Sequence, residues 1–559
     1  MIRRRTLQRI PLAQRQPHPR FSASTSTFPG IGGYEGGRSD RSATRNWLPR
    51  IGSPDSDVVP DLQPVRSRGR DLARNAPLIA GALDTNLSSI VGPGLVPHPR
   101  LDRAFLGLTE EQANDWQRQA SRIWWAVAGS TELDIRRRFN FAQLTHIMLR
   151  SYMTDGDHFF RRRFKERKGS LLGLKIQLIE ADRISNPNNK PDTPTLIEGV
   201  EIDDDGAFVK FHVMDRHPGE ILSFTAPKWT EQPAFGPETG EALMRQVASI
   251  ERDGQTRGIS LLAPVIESVK QLTRYGGAEL DAAVATSFIS LIIESEGGAL
   301  GELPSMGTGA NEAPVGFTGG AASASADRQI HLAPAAVVGL RPGEKISTFN
   351  PNRPNTAFEA FFRAWCSIVG VGIGLPHELL IKHFTSSYSA SRGAMLEAWR
   401  GFLTRRSLIV VDQWAQPVWE WMVSESVARG YLSAPGYFDD PLIKAAYCEC
   451  QWTGPIMGQL NPLDEANAAK IRIDTGTSTL EEETAANTGG DDWSRKHEQR
   501  AREHAMRVKA GLEPEIANVS TRAAINEAAP TSTADQRDTQ DNQDKNNNNG
   551  NNGGGSGGQ

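Results

Sequence analysis

The sequence contains little cysteine, little net charge and no long apolar run. Its three cysteines are Cys366, Cys448 and Cys450, and none belongs to a C-x-x-C pair. This excludes a disulfide framework and a zinc knuckle and favours a reducing cytoplasm. No stretch approaches the roughly eighteen apolar residues of a membrane helix, so we expect a soluble protein without a membrane partner. A net charge of −4 over 559 residues argues against a surface that coats nucleic acid throughout, so any such contact must be local.

Sequence motifs for nucleotide binding, metal-dependent hydrolysis and covalent catalysis are also missing. There is no G-x-x-x-x-G-K-[ST] loop, no H-E-x-x-H, no G-x-S-x-G and no G-x-G-x-x-G after a strand. The glycines of 370–374 end a predicted helix and precede Pro376, which indicates a helix-terminating turn. The acidic run Asp203–Asp205 lacks the spacing of a calcium loop and predicts a hairpin turn with Gly206. We therefore expect no cofactor and no bound metal.

One cluster of acidic and imidazole side chains leaves an enzymatic function open. Asp155, Asp157 and His158 could bind a metal ion, and the chain would then be a nucleic-acid-processing enzyme such as a nuclease. However, a single short stretch supplies all three side chains, and no second pair of ligands is apparent. The pattern favours a polar entry into a strand, and the nuclease is kept as the alternative function.

The strongest basic run follows that cluster directly. Its six cationic residues are Arg161, Arg162, Arg163, Lys165, Arg167 and Lys168. A run of this kind is typical of a solvated hairpin rim, but it also suits contact with phosphates or with an acidic partner. Both interpretations stay open on the residues alone.

Hydrophobic periodicity predicts an α+β protein that is predominantly helical. At 559 residues the chain is long enough for two to four structural units. Residues 1–60 combine arginines with Pro, Gly and Ser and predict a disordered basic arm, and 526–559 predict a disordered low-complexity tail. Strand patterns begin at Asp155. Helical spacing dominates elsewhere, with a capping box at Thr109 and a long pattern in which Pro417 predicts a kink.

A Ser-rich polar loop precedes that long helical pattern. The loop reads HFTSSYSAS from His383, and Pro376 before it prevents simple continuation of the preceding helix. The next helix is expected only from about Ser391, so the connecting segment must face water. That water could be outside the protein, as for most polar connections, or inside a channel.

Four short segments, in the same order, resemble the lambda-type portal proteins of tailed bacteriophages. They are RISNPNN (183–189), DGQTRG (253–258), GIGLPHELLIKHFTSSYSASR (372–392) and GDDW (490–493). The resemblance extends from about residue 30 to residue 512. It is weakest in the Gly-rich stretch 297–326 and in the Asn/Gly tail.

The resemblance implies the phage portal fold, assembling as a ring that is commonly of twelve copies. The implied parts are a first wing part at 61–258, a stem helix at 259–295, the clip region at 296–350, a second stem or wing helix at 351–375, a tunnel loop at 376–390, the kinked wing helix and following segment at 391–461, and a crown at 462–525.

The resemblance also implies the function of a portal vertex protein in a tailed phage. Such a ring conducts double-stranded DNA, without sequence preference, during packaging and ejection. The implied partners are the terminase large subunit, a head-completion or adaptor protein, and the capsid and scaffold proteins. The implied location is the virion, after assembly in the host cytoplasm.

In this interpretation the chain is not an enzyme, and its polar loop faces DNA. The loop residues implied to do so are Lys382, His383, Thr385, Ser386 and Ser387. A ring repeats each residue once per copy, so one lysine per subunit becomes a ring of charge. DNA must slide through such a pore, which should therefore be polar, sparsely basic and free of base-reading side chains. The loop sequence fits that description.

Overall fold

The structure is a computed structural model that describes residues 42, 46–220, 225–288, 292–295, 344–347, 358–384, 387–458, 462–488 and 493–512. Its helices are α1 (Pro54–Val58), α2 (Leu62–Asn75), α3 (Pro77–Ile90), α4 (Arg103–Leu106), α5 (Glu110–Ala128), α6 (Phe141–Asp155), α7 (Ile266–Phe288), α8 (Phe358–Ile373), α9 (His377–Ile381), α10 (Tyr388–Arg405), α11 (Gln416–Ala428), α12 (Pro441–Cys448), α13 (Pro462–Asp474), α14 (Leu480–Thr488) and α15 (Trp493–Lys509). A π-helical segment, Arg406–Ala415, joins α10 to α11.

The strands are shorter and fewer than the helices among the described residues. They are β1 (Val96–Pro99), β2 (Asp157–Phe164), β3 (Leu174–Ile179), β4 (Leu196–Ile197), β5 (Val200–Ile202), β6 (Phe208–Met214), β7 (Trp229–Pro233), β8 (Met244–Ala248), β9 (Ile292–Ser295), β10 (Glu344–Ser347) and β11 (Cys450–Thr453). The predicted class, α+β and predominantly helical, is confirmed. Within the described part of the chain, no helix combines the length and apolarity needed to span a bilayer.

The chain divides into two compact units. The first unit comprises residues 1–77, 151–161 and 178–359, and the second comprises residues 78–150, 162–177 and 360–559. Strand β2 therefore begins in the first unit and ends in the second.

The first unit is built on antiparallel strands. Strands β4 to β7 form a four-stranded sheet in chain order, and Asp157–Arg161 of β2 pairs antiparallel with β8. Inward-pointing residues of these strands join residues of β3 and of the connecting segments in one apolar cluster. Its members are Phe159, Ile179, Ile184, Val200, Phe211, Val213, Ala234 and Met244.

The acidic hairpin turn of the first unit forms as the sequence predicts. Strands β5 and β6 pair antiparallel around it, and Gly206 has a φ of +85°, a conformation that few residues other than glycine adopt. The Asp203 carboxylate accepts hydrogen bonds from the backbone N–H groups of Asp205 and Ala207 at 3.0 and 2.8 Å. The Asp203 carboxylate therefore stabilises the predicted turn.

The predicted disordered arm 1–60 ends earlier than expected. Helix α1 begins after Ser53, whose side chain caps it, and Asp55 accepts hydrogen bonds from the Thr256 backbone N–H and hydroxyl at 2.7 and 2.8 Å. Asp57 forms an ion pair with Arg252 at 2.6 Å. Contacts with residues about 200 positions away, which local composition cannot reveal, order 53–60. Apart from residue 42, the arm before residue 46 lies outside the described residues.

The second unit packs around tryptophans. Trp124 contacts Trp419 and Trp452 with ring centroids 5.7 and 5.4 Å apart, and Phe141 stacks on Trp414 at 5.5 Å. Helix α5, which carries Trp124, begins at the predicted capping box of Thr109 and Gln112. Trp414, Trp419 and Trp421 are buried, as their helical spacing predicts, whereas Trp399 is half-buried.

The long helical pattern of the second unit changes its hydrogen bonding before Pro417. The backbone N–H of Gln416 donates to the carbonyl of Val411, five residues earlier, so the last turn before the proline is π-helical. The Arg406 guanidinium donates to the carbonyls of Ile90, Ser89 and Pro455 at 2.7–2.8 Å. Burial lowers the pKa of Arg406 to about 10. A π-helical segment therefore precedes Pro417, the position at which the sequence predicts a kink.

The predicted C-terminal end of the stem helix differs from the structure. Helix α7 ends at Phe288, and Ile292–Ser295, predicted as helix within 259–295, is instead strand β9 paired antiparallel with β10. β-branched residues in that stretch favour strand pairing once a partner strand is available. Most of the clip region 296–350 lies outside the described residues, as do 513–525 of the crown and the tail 526–559.

Candidate nucleic-acid interface

Within the predicted tunnel loop, 376–390, the exposed segment begins at the C-terminus of the short helix α9. The Lys382 backbone N–H caps this helix, and the N–H of His383 donates to the carbonyl of Glu378 at 3.1 Å, which completes a Schellman-type turn. Lys382 has a φ of +54°, where glycine or asparagine is the usual residue. The side chains of Lys382, His383 and Phe384 are exposed, the last by 53%. The structure therefore presents a lysine at a position where its backbone conformation is unfavourable.

The far end of the loop is the start of α10. The Ser387 hydroxyl accepts a hydrogen bond from the Ala390 N–H at 3.4 Å and is the N-cap of the helix, so this side chain has a structural role. Thr385 and Ser386 lie outside the described residues. The loop predicted at 376–390 is thus shorter in the structure, because Pro376 precedes a helical turn and Ser387 starts the next helix three residues before the predicted start.

The predicted basic run is divided between structural and exposed cations. Arg161 donates to the Gln232 side-chain carbonyl at 3.1 Å, and Arg162 lies over the Trp421 ring at 5.9 Å. Arg167 donates to the backbone carbonyls of Asp134 and Ile135. The exposed members are Arg163, Lys165 and Lys168. The other three members of the run are half-buried.

A carboxylate on α11 holds the hairpin that carries these cations. Glu425 accepts hydrogen bonds from the backbone N–H groups of Gly173 and Leu174 at 2.6 and 2.7 Å. Arg429 binds Glu425 at 2.6 Å and also binds Glu166. Both ends of the connection between β2 and β3 are therefore attached to one helix.

The candidate nuclease cluster is embedded in ion pairs with arginines. Asp157 is fully buried and binds Arg257 at 2.7 Å and Arg66 at 2.8 Å. Burial raises the pKa of Asp157, but the charges of Arg257 and Arg66 outweigh that effect and hold it below its usual value. Asp155 binds Arg70 through both carboxylate oxygens, at 2.8 and 2.9 Å. Each carboxylate thus has cationic partners where a metal ion would have to bind.

His158 is buried beside Ser151 in the same cluster. Its Nδ1 lies 3.0 Å from the Ser151 hydroxyl, and its Nε2 is buried with no hydrogen-bond partner. Burial lowers the pKa of His158 to about 4, against a partial opposing effect of Asp157. Within the described ranges, no group of three His, Cys, Asp or Glu side chains is placed to hold a metal ion. The polar strand entry is the interpretation that these contacts favour.

Comparison with known proteins gives the family. Residues 40–406 match the profile of the family described as phage portal protein, lambda family. The chain belongs to the lambda family of phage portal proteins. Its relatives include portal protein B of Escherichia phage lambda, 28% identical over 494 residues that cover 86% of this chain and 91% of the relative. The portal protein of Escherichia phage N15 is 26% identical over 493 residues, covering 86% and 92%.

Two solved structures match the chain with low TM-scores and low sequence identity. The virion of a native gene transfer agent particle matches with a TM-score of 0.40 and 12% identity, covering 80% of this chain and 95% of that chain. The neck of the empty particle matches with a TM-score of 0.40 and 13% identity, covering 77% and 94%.

Two of the segments that resemble this portal family, DGQTRG and RISNPNN, contact each other inside the first unit. Arg257 of DGQTRG is fully buried, and besides Asp157 it donates to the carbonyls of Glu198, Ile184 and Ala181 at 2.6, 3.2 and 3.0 Å. Ile184 belongs to RISNPNN. A Cβ on Gly258 would lie 2.1 Å from the Gly156 carbonyl oxygen, so this position requires glycine.

Sequence reasoning missed this ion network. Its members are Arg66, Arg70, Asp155, Asp157, Asp182 and Arg257. Arg66 and Arg70 stand four residues apart on α2 and so lie on one face of the helix, which is the one local signal for it. The three segments that supply the carboxylates and Arg257 are distant from α2 and from one another in sequence, and only the fold brings them together.

Proposed function

We propose that the chain is the portal vertex protein of a tailed phage, forming a closed ring whose axial channel conducts double-stranded DNA during packaging and ejection. The observation that carries this proposal is membership of the lambda portal family over residues 40–406. The proposed ring has twelve copies and is a constituent of the virion, after assembly in the host cytoplasm.

The proposed partners are those that a passive conduit requires. The terminase large subunit would supply the ATP-driven movement, a head-completion or adaptor protein would bind after packaging, and capsid and scaffold proteins would surround the ring. The chain itself would catalyse no reaction. The ion pairs that occupy the Asp155 and Asp157 carboxylates support that part of the proposal, because they leave no free carboxylate pair for a nuclease metal.

The polar loop is the proposed contact with DNA inside the channel. Lys382 and His383 are exposed beyond the end of α9, and Thr385, Ser386 and Ser387 complete the proposed lining. One lysine in each of about twelve subunits would make a ring of positive charge around the duplex. Such a ring attracts phosphates of any sequence, while the short hydroxyl side chains offer no base-specific contact.

The three exposed cations of the basic run are proposed as a second polyanion contact. Arg163, Lys165 and Lys168 are held on a hairpin that Glu425 attaches to α11. A fixed hairpin presents its charges at a constant distance from a partner, which suits phosphates or an acidic protein surface.

Imaging of purified protein tests the proposed function. Negative-stain class averages should show rings with an axial hole, and light scattering after size-exclusion chromatography should give close to twelve times the chain mass. Particles that stay monomeric across micromolar concentrations would contradict the proposal. Cleavage of DNA that requires Mg²⁺ and co-elutes with the protein on size-exclusion chromatography would support the nuclease instead.

A further inference from the structure

Helix α15 concentrates positive charge on a chain whose overall charge is negative. The helix contains six cationic residues and two anionic ones, a net charge of +4, whereas the whole chain carries −4. The cationic residues are Arg495, Lys496, Arg500, Arg502, Arg507 and Lys509. A local concentration of this kind is the electrostatic feature expected of a polyanion-binding surface.

Part of this charge forms a straight stripe on the solvent side of the helix. Arg495, Arg502 and Lys509 are exposed and recur every seven residues, which places them on one face over about 21 Å. Trp493 and Val508, which are half-buried, lie on the opposite face, nine and six residues from Arg502. We call these three cations the basic stripe. Helix packing on one face leaves the basic stripe directed away from the rest of the unit.

The glutamates of the neighbouring helix α14 contact groups other than the basic stripe. Helix α15 packs against α14, whose first turn contains three glutamates. Glu481 lies 3.3 Å from Arg100, Glu482 accepts a hydrogen bond from the Thr479 N–H, and Glu483 binds Arg472 at 2.7 Å. Within α15, Glu498 lies 3.3 Å from Arg502, but both side chains are exposed, and such pairs contribute little.

We propose that the basic stripe binds the phosphates of double-stranded DNA without reading its sequence. Duplex DNA offers a negative charge about every 1.7 Å along its axis, so a stripe about 21 Å long can meet phosphates in any register. The one exposed amide beside the stripe, Gln499, donates to Glu503 at 2.7 Å, and no Asn side chain or aromatic ring lies between the three cations on this face. The choice of DNA over an acidic protein rests on the proposed function, in which this chain conducts DNA.

The test measures DNA binding by the full-length protein. A fluorescent duplex of about 30 base pairs with random sequence is titrated with wild type and with the triple variant Arg495→Gln, Arg502→Gln, Lys509→Gln, since glutamine preserves helix propensity. The matched control carries the same loss of charge elsewhere: Arg103→Gln, Arg118→Gln, Arg400→Gln, all exposed positions. Fluorescence anisotropy is recorded at 50 and 200 mM KCl.

The basic stripe should account for a salt-dependent part of the affinity. For three phosphate contacts, binding should weaken about 40-fold more between 50 and 200 mM KCl for wild type than for the stripe variant. At 50 mM the stripe variant should bind at least tenfold more weakly than the matched control. Equal binding by the two triple variants would overturn the proposal, as would binding of poly-L-glutamate with no binding of DNA.

Failure of this inference can be told apart from failure of the proposed function. Both triple variants are imaged for rings before the titration. Rings that form normally, with DNA affinity unaffected by the stripe substitutions, would reject the basic stripe and leave the portal function standing. If the wild-type chain forms no rings but the stripe variant binds DNA more weakly than wild type, the result would support the basic stripe and contradict the proposed function.

Discussion

At the scale of single residues, Asp157 is the most consequential side chain of the first unit. It has no exposed surface, and it neutralises two arginines, Arg66 and Arg257, that are themselves buried. Removing one partner of such a network leaves a charge in a low-dielectric interior, which costs about 3–5 kcal/mol. We therefore predict that Asp157→Asn lowers the thermal unfolding midpoint severely or abolishes soluble expression.

The matched control for that substitution is Asp204→Asn, at an exposed position in the hairpin turn. It makes the same chemical change and should leave the unfolding midpoint within about a degree, because surface substitutions away from special features have small effects. Similar midpoints for the two variants, measured by differential scanning fluorimetry, would show that the buried ion pairs contribute little to stability.

His158 makes the first unit sensitive to acid. Its pKa is about 4 in the folded chain, below the ordinary 6.5, so the unfolded chain binds a proton between these values and the folded chain does not. Stability is therefore complete above pH 6.5 and falls as the pH decreases towards 4. The expected loss at pH 5 is about 2 kcal/mol.

The measurement is the unfolding midpoint between pH 7.5 and pH 5 for wild type and His158→Gln. Glutamine can keep a hydrogen bond to Ser151 but does not titrate. The variant should lose less stability than wild type over this interval. Parallel pH profiles would mean that other groups cause the acid sensitivity.

Substitutions of Lys382 test whether the channel loop lies near DNA. Its backbone conformation favours asparagine or glycine, so Lys382→Asn removes the charge without backbone strain, whereas Lys382→Glu reverses the charge and Lys382→Arg preserves it. All three variants should form rings. The Glu variant should retain less packaged DNA than the Asn variant, and the Arg variant should resemble wild type. The measurement is nuclease-protected DNA at two salt concentrations, since the effect should be electrostatic.

That ranking is specific to a loop that lies near phosphates. An outer surface loop would give four proteins with the same packaging and the same DNA retention at low salt. In that case the DNA-facing assignment of Lys382 and His383 would be wrong, while ring formation would be unaffected.

At the scale of elements, the basic hairpin depends on Glu425. Its carboxylate is the acceptor for two adjacent backbone N–H groups, those of Gly173 and Leu174, and it pairs with Arg429. Glu425→Ala leaves these donors without their partner, at a cost of about 1–3 kcal/mol, so the hairpin should open more often. Trypsin should then cleave after Arg163, Lys165 or Lys168 about tenfold faster or more.

The matched control is Glu397→Ala, which removes an exposed carboxylate on α10 that pairs with Arg400 at 3.1 Å. Trypsin should cleave this variant at the wild-type rate, and mass spectrometry identifies the cleaved bond. Unchanged cleavage within the hairpin of the Glu425 variant would show that other contacts hold it.

The elements show what local sequence can and cannot predict. The capping box at Thr109 and the turn at Gly206 were predictable because a few adjacent residues determine each of them. Strand β9 was predicted as helix because its pairing partner, β10, is about 50 residues away. The exposed loop was predictable from its polarity. The role of Ser387 as a helix cap was not, since it depends on where α10 begins.

At the scale of the whole molecule, ring assembly should depend on where the N-terminal arm is cut. A chain that begins at Trp47 keeps the contacts of Asp55 and Asp57, and it should form rings as the full chain does. A chain that begins at Asp61 loses both aspartates. The buried Thr256 then lacks acceptors for its N–H and hydroxyl, and Arg252 lacks its ion pair.

The second truncation should therefore lower the unfolding midpoint and the yield of rings, since each lost hydrogen bond to a charged group contributes about 1.5–3 kcal/mol. The substitution Asp55→Ala in the full-length chain separates lost contacts from lost length: it should reproduce most of the destabilisation although no residue is removed. Size-exclusion chromatography gives the ring yield and scanning fluorimetry the midpoint. If the chain beginning at Asp61 assembled and melted like the one beginning at Trp47, residues 53–60 would belong to the dispensable arm, as their composition predicts. If instead the chain beginning at Trp47 failed to assemble while remaining folded, the arm before it would contribute to subunit contacts.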